Sequence, residues 1–251
     1  VISGFVITSS LHQRPSKNFE DFICEFYLRR IKRLLPAMSF FVLFMSIVIC
    51  LLNPEPLIIL RTGIASLFGF SNLYLLKQPT EYFAQTTELN VFAQTWSLGV
   101  AVQFYIIFPY IIWFSGYGRK TKNGLLNLFL TIGGLAIVSL IGFLYLYPIN
   151  QSAAYFQMQT RFWEFAAGCL TFTTFRKRGS IKQFLEKVPT FLVLALIIGL
   201  MYLPITYMSA ATFTVASLTS VLIGSLKKQT IAYKIFTNSK VVYIGLISYS
   251  L

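Results

Sequence analysis

The sequence predicts an all-α membrane protein, a polytopic bundle of transmembrane helices. Hydrophobic residues make up 56% of the 251-residue chain and charged residues 12%, about half the roughly 25% that is usual in soluble domains. The mean hydropathy is +0.68, and apolar runs approach the about 20 residues that a helix needs to cross a bilayer. Together these values exclude a soluble globular domain, a disordered chain and a disulfide scaffold.

Basic residues dominate the charge of the chain. It has 21 Lys and Arg against 8 Asp and Glu, which gives a net charge of +13. These cations fall in short clusters between apolar runs, as in the cytoplasmic loops of membrane proteins, and not on the continuous basic face that nucleic-acid binding requires. We therefore expect a multi-pass integral membrane protein that contacts membrane lipids and binds no nucleic acid.

The apolar runs define the expected spans. Residues 1–11 would be the end of one span and 241–251 the start of another, so we expect a fragment whose two ends lie inside spans. Arg61 and Asn72 interrupt the second of the fuller candidates and make it the weakest. In chain order, the fuller candidates cover 34–52, 57–76, 97–114, 124–147, 161–175, 190–205 and 208–226.

Lys and Arg orient these spans, because short loops that are rich in them stay in the cytoplasm. The second half of the chain then alternates regularly, with 148–160 outside. In the first half, three candidates separate two basic loops, although an even number is required. Either 57–76 or 77–96 is re-entrant, or the rule fails once. The loops expected in the cytoplasm are 12–33, 115–123, 176–189 and 227–240.

Residues 18–33 form a different kind of element. Their apolar side chains recur at the i, i+3, i+4 and i+7 spacing of one helical face: Phe19, Phe22, Ile23 and Phe26. Acidic residues come first and basic residues last, as the helix dipole favours. We predict a cytoplasmic amphipathic helix on the membrane surface, which runs into the span after Pro36.

Four cations within five residues end that helix: Arg29, Arg30, Lys32 and Arg33. The guanidinium fork of arginine suits bidentate binding of phosphate, so the arginines are candidates for holding a phosphorylated substrate. The alternative is a juxtamembrane anchor that sets the topology and contacts lipid phosphates.

Polar residues also occur in two of the expected spans. Trp96 and Ser97 open one of them, and Gln103 lies within it. An amide at that depth needs a partner, so Gln103 either belongs to a functional pocket or joins helices. Arg161 and Glu164 lie three residues apart at the start of the short span. They are either functional residues or a structural ion pair at the outer interface.

The cysteines and the histidine do not favour a metal site. Cys24, Cys50 and Cys169 are odd in number and share no metal-binding or disulfide spacing. The single histidine, His12, nearly excludes a His-based metal site within this chain, and we interpret it as an ordinary loop residue. We therefore expect no bound metal and no bound cofactor.

Several of these segments together resemble the acyltransferase 3 family of integral-membrane acyltransferases. Val1–Thr8 resembles its second-helix signature, the run from Phe26 to Pro36 resembles its arginine motif, and Thr95–Tyr105 is similar to its most recognisable segment. The resemblance runs in order through residues 1–251, which are thus identified as part of one membrane domain. Further matching segments are Tyr82–Phe83, Glu88–Asn90, Ser152–Phe156, Thr160–Glu164 and Tyr243–Leu251.

The resemblance implies about ten helices in the whole family domain, of which the first would be absent here and the last cut. It implies transfer of an acyl group, other than an amino-acyl group, from cytoplasmic acyl-CoA to a hydroxyl of a carbohydrate or lipid. The catalytic histidine would lie one helix before Val1, so no catalytic residue is assigned within this chain. The abundance of Phe, Tyr and Ile suggests an animal source, specifically a nematode.

The resemblance also implies roles for the polar residues described above. The candidates for binding the phosphates of the donor are Arg29, Arg30 and Arg33. The candidates for lining or supporting an acyl tunnel are Trp96, Ser97, Gln103 and Tyr105. The candidates for shaping the acceptor side are Arg161 and Glu164.

Two departures from the family pattern bear on activity. Gln94 stands where the family usually has histidine, and Ala101 where it usually has glutamate. Because general acid–base help is worth roughly 10²–10⁴-fold, losing such groups leaves a weak enzyme or none. The alternative function is therefore a catalytically inactive relative that handles lipids or drugs, or acts as a scaffold. A secondary transporter is a third hypothesis, which the ordered motifs disfavour.

Overall fold

A computed structural model gives the fold of residues 1–13, 18–77, 90–177, 179–204, 208–227 and 230–248. The regular structure in these ranges is helical and no strand occurs in them, so the all-α prediction is confirmed. Some residues of the basic loops and family motifs lie outside these ranges: Arg14, Lys17, Tyr82–Phe83, Glu88–Leu89, Arg178, Lys228 and Tyr249–Leu251.

The described ranges contain thirteen α-helices and one 3-10 turn, Ala93–Thr95. The turn leads directly into the fifth helix. In chain order, the helices are α1 (Ile2–Gln13), α2 (Phe19–Leu52), α3 (Leu57–Leu67), α4 (Ser71–Lys77), α5 (Trp96–Phe114), α6 (Gly124–Ile149), α7 (Gln151–Phe156), α8 (Met158–Lys177), α9 (Gly179–Leu185), α10 (Thr190–Leu200), α11 (Met208–Ser225), α12 (Ile231–Phe236) and α13 (Ser239–Ser248).

Three of the described helices are long and apolar enough to cross a membrane. They are α2, α5 together with the turn before it, and α6; the pair α9 and α10 is a fourth if its halves form one bent span. The expected multi-pass membrane architecture is thus confirmed. The candidate span 161–175 lies within α8, whose charged residues make it less apolar than those three.

Helix α2 is continuous over 34 residues, about 51 Å at 1.5 Å per residue, so it exceeds the roughly 30 Å hydrocarbon core of a bilayer. Its charged residues all lie in its first half, and its second half is apolar. Pro36 lies at this change and donates no hydrogen bond to the carbonyl of Lys32. The amphipathic segment therefore runs directly into the span as part of the same helix.

The weakest candidate span, 57–76, is broken in the middle. Gly69 has a left-handed backbone conformation with φ of +72°, which is favourable only without a side chain, and it separates α3 from α4. Helix α3 has 11 residues and α4 has 7, so each is too short to cross a bilayer. If neither crosses, α2 and α5 are the two spans between the basic loops, an even number as the Lys and Arg distribution requires.

Contacts divide the chain into two compact units. The first contains the described parts of 1–15, 115–137 and 163–249, and the second those of 16–114 and 138–162. All the candidate residues for donor, tunnel and acceptor belong to the second unit except Glu164, which belongs to the first.

In the first unit, α1 packs directly on the backbone of α8 at two glycines. A Cβ on Gly4 would overlap the carbonyl of Phe165, and a Cβ on Gly168 would overlap the carbonyl of Val1. Small residues that allow backbones to approach closely are typical of helix pairs in membranes. The two glycines therefore set the distance between these helices.

We expect Gly168→Ala to destabilise the protein by about 1–3 kcal/mol, because the added methyl group meets backbone atoms that have no rotamer to change. Gly134→Ala in α6 is the matched control, since a Cβ there meets nothing within 4 Å and alanine is the better helix former. Thermal unfolding in detergent measures both. An unfolding midpoint for Gly168→Ala at or above that of Gly134→Ala would contradict this packing.

In the second unit, α5 is the central element and contacts α2, α3, α4 and α7. Its Phe104, Phe108 and Ile112 are fully buried. Gly99 brings the backbone of α5 against α4, where an added Cβ would approach the amide oxygen of Asn72 to 2.8 Å. The helix that carries the most recognisable motif is thus held on several sides by its neighbours.

Candidate functional site

Arg30 connects the arginine cluster of α2 to the motif helix α5. Its guanidinium carbon lies 5.6 Å from the ring centroid of Phe26 and 5.3 Å from that of Tyr105. Cation–π contacts of this kind are worth about 0.5–2 kcal/mol, depending on how well water is excluded. The structure therefore brings together a donor-binding candidate and a tunnel candidate that are far apart in the sequence.

The other two arginines of the cluster have different surroundings. Arg29 forms an ion pair with Glu25 one turn earlier, with 2.7 Å between Nη1 and Oε2, and both side chains are partly exposed. An exposed pair within a helix contributes little to stability, about 0.3–0.5 kcal/mol. Arg33 is exposed on the same helix. Arg30 differs from Arg29 in that its guanidinium lies over a ring of α5, that of Tyr105.

An apolar cavity of about 180 Å³ lies between α2, α3 and α5, with Arg30 in its wall. Phe68 and Gly69, at the break between α3 and α4, are part of its lining. Its lining residues on α5 are Leu98, Val102, Tyr105 and Ile106. Those on α2 are Tyr27, Arg30, Ile31, Leu34, Leu35 and Met38. Both sets recur at the i, i+3 or i+4, i+7 spacing of one helical face, a signal in the sequence that would have found them.

Tyr27 joins α2 to α5 beside the cavity. Its hydroxyl donates to the carbonyl of Ile106 at 2.9 Å. Burial, with a smaller effect of the neighbouring Tyr110, raises the pKa of Tyr27 to about 12. Tyr27 is therefore a neutral hydrogen-bond donor throughout the physiological pH range. The sequence-based search for site residues missed it.

Gln103 holds the break between α3 and α4 in place. Its amide donates to the side-chain oxygen of Asn72 at 2.8 Å and to the carbonyl of Gly69 at 3.3 Å. Asn72 is fully buried and donates to the carbonyl of Phe156 at 2.9 Å. These bonds satisfy backbone groups that irregular structure exposes at membrane depth. The geometry thus favours the interpretation in which Gln103 joins helices and supports the cavity wall.

Trp96 and Arg161 meet in a second cluster of the same unit. The guanidinium carbon of Arg161 lies 4.8 Å from the ring centroid of Tyr155 and 5.2 Å from that of Trp96, and the two rings are 4.5 Å apart. Glu164 lies one turn after Arg161 on α8. Tyr155, from α7, thus links a tunnel candidate to an acceptor candidate, and it was not itself among the candidates.

Three other residues of the motif region lie outside the cavity lining. The Ser97 hydroxyl is exposed and donates to the carbonyl of Gln94 at 3.2 Å, a local bond at the start of α5. Gln94 is also exposed, and Ala101 is half-buried in α5. Of the four tunnel candidates, Tyr105 therefore lines the cavity, Gln103 supports it, Trp96 belongs to the second cluster and Ser97 takes part in neither.

The position of His12 in the structure differs from the one that the sequence predicted. His12 lies in the last turn of α1 and its ring centroid is 5.3 Å from that of Tyr117, so the interpretation as a loop residue is wrong. Burial, followed by the charges of Arg176 and Lys120, lowers the pKa of His12. In the described ranges, no three His, Cys, Asp or Glu side chains lie together in a way that could hold a metal ion.

Known proteins match both the whole chain and its motifs. The family model described as an acyltransferase domain, that of the acyltransferase 3 family, matches residues 1–251. O-acetyltransferase OatA of Staphylococcus aureus strain NCTC 8325 / PS 47 is 32% identical over 172 residues, which are 68% of this chain and 28% of OatA. The provisionally named O-acetyltransferase SACOL0978 of S. aureus strain COL is 29% identical over 267 residues, an alignment that covers 100% of this chain and 43% of that protein.

Both relatives are longer than this chain. They are bacterial, so they lend no support to the nematode source that the composition suggested. This chain spans less than half the length of either relative. No solved structure matches it. Because the family model covers the whole chain, the chain belongs to the acyltransferase 3 family, as its motifs predicted.

Proposed function

We propose that this protein transfers an acyl group from acyl-CoA to a hydroxyl group of a carbohydrate or lipid. Membership of the acyltransferase 3 family supports acyl transfer, and the names of the relatives favour acetyl as the group and oxygen as the accepting atom. The observation that carries the proposal is Arg30, held between Phe26 and Tyr105 in the wall of an apolar cavity. This arrangement combines a cation suited to phosphate with a space suited to an acyl chain.

The size of the cavity favours a short acyl group. Its volume of about 180 Å³ is below the roughly 300–1,000 Å³ of sites that enclose a drug-sized ligand. The acyl thioester end of the donor would enter it, and the phosphates would stay outside with Arg30 and the exposed Arg33. Arg29 would contribute less, because it is already paired with Glu25.

The proposed reaction is a direct acyl transfer. A histidine from the helix that the family resemblance implies before Val1 would take the proton of the acceptor hydroxyl as general base. The hydroxyl oxygen would attack the thioester carbonyl, the carbon–sulfur bond would break, and coenzyme A would leave as a thiolate that receives the proton. Residues of this chain would position the donor, and holding reactants in place supplies much of the rate enhancement in such reactions.

The cluster around Arg161 suits the acceptor. Its guanidinium presents several hydrogen-bond donors in one plane, and its carbon lies over the rings of Trp96 and Tyr155. Glu164 stays an acceptor candidate on its sequence position alone, three residues after Arg161. A carbohydrate or a lipid headgroup with several hydroxyls offers matching donors and acceptors, which supports carbohydrate modification as the class of reaction.

Transfer of label from acyl-CoA tests the proposal in liposomes that contain the intact gene product. We expect radiolabelled acetyl-CoA to acylate hydroxyl acceptors at least about tenfold faster than octanoyl-CoA does, because each methylene that a pocket does not accommodate weakens the transition state. Liposomes without protein are the control. Equal rates for the two donors would rule out the cavity as the acyl site, and no transfer from either would rule out the enzyme.

A catalytically inactive relative is the second candidate, because Gln94 and Ala101 stand where the family usually has ionisable residues. Such a protein would bind acetyl-CoA without turning it over, and would instead handle lipids or drugs or act as a scaffold. Equilibrium binding of labelled donor, measured beside the transfer assay, separates the two functions. Binding with transfer supports the enzyme, and binding without transfer supports the inactive relative.

A further inference from the structure

A group of basic and aromatic residues lies in the first unit, where two helix ends and a connection between helices come together. His12 is in the last turn of α1, Tyr117 is in the connection between α5 and α6, and Arg176 is in the last turn of α8. The ring of His12 lies 5.3 Å from that of Tyr117 and 6.1 Å from that of Phe172, between centroids. His12, Tyr117 and Arg176 lie in the stretches 12–33, 115–123 and 176–189, which the Lys and Arg distribution assigns to one side of the membrane.

The spacing of residues along α8 places Arg176 near His12. Phe172 and Arg176 are four residues apart on this helix, so they share a face, and Phe172 packs on the His12 ring. The charges that act on His12 are those of Arg176 and Lys120, and both lower its pKa, after the larger effect of burial. The group thus contains two cations and an imidazole whose protonation they oppose.

Lys120 is held in an unfavourable backbone conformation in this group. Its φ is +54°, in the left-handed region that residues with a side chain disfavour. The turn that fixes it is closed by hydrogen bonds from the amide of Lys120 to the carbonyl of Tyr117 at 3.1 Å, and from that of Thr121 to Gly116 at 3.0 Å. Glycine or asparagine would fit this position with less strain. Strain of this sort tends to be kept where the side chain has a function.

Tyr117 supplies the second observation. Its side chain is 6% exposed, and among the described residues none forms a hydrogen bond with its buried hydroxyl. Buried polar atoms in native proteins normally have a hydrogen-bond partner, either a protein group or a bound molecule. Burial raises the pKa of Tyr117 to about 12, and the positive charge of Arg176 opposes this shift. A favourable interaction with the helix dipole would explain why Arg176 lies at the C-terminal end of α8. It would explain neither the unpaired hydroxyl of Tyr117 nor the left-handed conformation of Lys120.

We propose that His12, Tyr117, Lys120 and Arg176 form a binding site for a phosphate group. Arg176 and Lys120 would supply the charge, and the Tyr117 hydroxyl and His12 would donate hydrogen bonds. The phosphate could belong to a soluble nucleotide, such as the adenosine part of a coenzyme A ester, or to the headgroup of an anionic phospholipid. The site does not depend on acyl transfer, and it would exist equally in an inactive relative.

Binding of two probes to the full chain tests the proposal. The soluble probe is adenosine 3′,5′-bisphosphate, and the lipid probe is phosphatidylglycerol in nanodiscs, compared with phosphatidylcholine nanodiscs. Isotope-labelled histidine reports the imidazoles by NMR, and the signal that disappears in His12→Gln identifies that of His12. We expect a bound phosphate to raise the pKa of His12, because an adjacent anion favours the imidazolium.

Three variants make the test specific. Arg176→Gln and Lys120→Asn each remove one cation, and we expect each to weaken binding of the responding probe at least about tenfold. Lys120→Asn should also raise the unfolding midpoint, because asparagine tolerates the left-handed conformation, which excludes unfolding as the cause of its weaker binding. Lys122→Gln, exposed two residues further along the same connection, is the matched control and should bind within about twofold of the parent.

Each outcome decides one point. A response to the bisphosphate in phosphatidylcholine nanodiscs supports the site with a soluble phosphate as its ligand. A response only to phosphatidylglycerol supports the site with a lipid headgroup. No change in the His12 resonance with either probe, or equal binding by Arg176→Gln, Lys120→Asn and Lys122→Gln, would overturn the proposal.

Discussion

Arg30→Lys is expected to raise the apparent KM for acyl-CoA at least about tenfold while expression stays unchanged. Lysine keeps the charge but lacks the two-pronged donor geometry and the flat face that lies near Phe26 and Tyr105. Losing a charge-assisted hydrogen bond costs about 1.5–3 kcal/mol, which corresponds to a roughly ten- to hundred-fold weaker complex. Initial rates of acetyl transfer at varied donor concentration measure the effect.

The neighbouring residues of the cluster provide a graded comparison for Arg30. Arg33→Lys should have a smaller effect on KM, because Arg33 is exposed and does not line the cavity. Lys32→Gln is the control that removes a charge from the same helix without changing any arginine. If Arg30→Lys binds donor as tightly as the parent does, the cluster is an electrostatic anchor and the donor site lies elsewhere.

Asn72→Leu is expected to destabilise the protein by about 1–3 kcal/mol, because it removes the hydrogen bonds that the fully buried Asn72 amide makes with the Gln103 side chain and with the Phe156 carbonyl. Double-mutant cycles in membrane proteins average only about 0.6 kcal/mol for a hydrogen-bonded pair. The larger value applies here because one substitution removes bonds to two groups at once. Thermal unfolding in detergent measures the loss.

The double variant Asn72→Leu with Gln103→Leu is the informative control. Replacing both partners by apolar groups of similar size is close to neutral compared with removing one, so the double variant should be more stable than the sum of the two single losses. Additive losses would show that the two side chains do not act as a pair. Loss of acetyl transfer without loss of stability in Gln103→Leu would instead return Gln103 to the acyl tunnel.

Most of the helical architecture could be predicted from local pattern. The i, i+3, i+4, i+7 phenylalanines and the change to an apolar run fixed α2, and long apolar windows fixed α5 and α6. The break at Gly69 could not be located in this way. Its conformation depends on hydrogen bonds from Gln103, a residue of another helix, and hydropathy contains no information on which glycine of 57–76 will leave the helix.

The candidate site shows the same division between pattern and packing. Arg30, Trp96, Tyr105 and Arg161 were identified from residue type and family resemblance. Their grouping was not, because a sequence does not state how far one helix is rotated against another. In the structure, Trp96 therefore contacts Arg161 and belongs to a different cluster from Tyr105. Tyr155 was missed since an aromatic residue in a short apolar helix is ordinary until its ring is found over a guanidinium.

The break at Gly69 has a consequence for biosynthesis of the protein. During translation α3 and α4 leave the ribosome before α5, and thus before Gln103 is available to bind the Gly69 carbonyl and Asn72. A segment with unsatisfied backbone groups is poorly suited to contact lipid. We therefore expect this segment to be integrated only after α5 has been inserted, so that a nascent chain arrested with α3 and α4 outside the ribosome and α5 still inside it would leave the segment accessible to water.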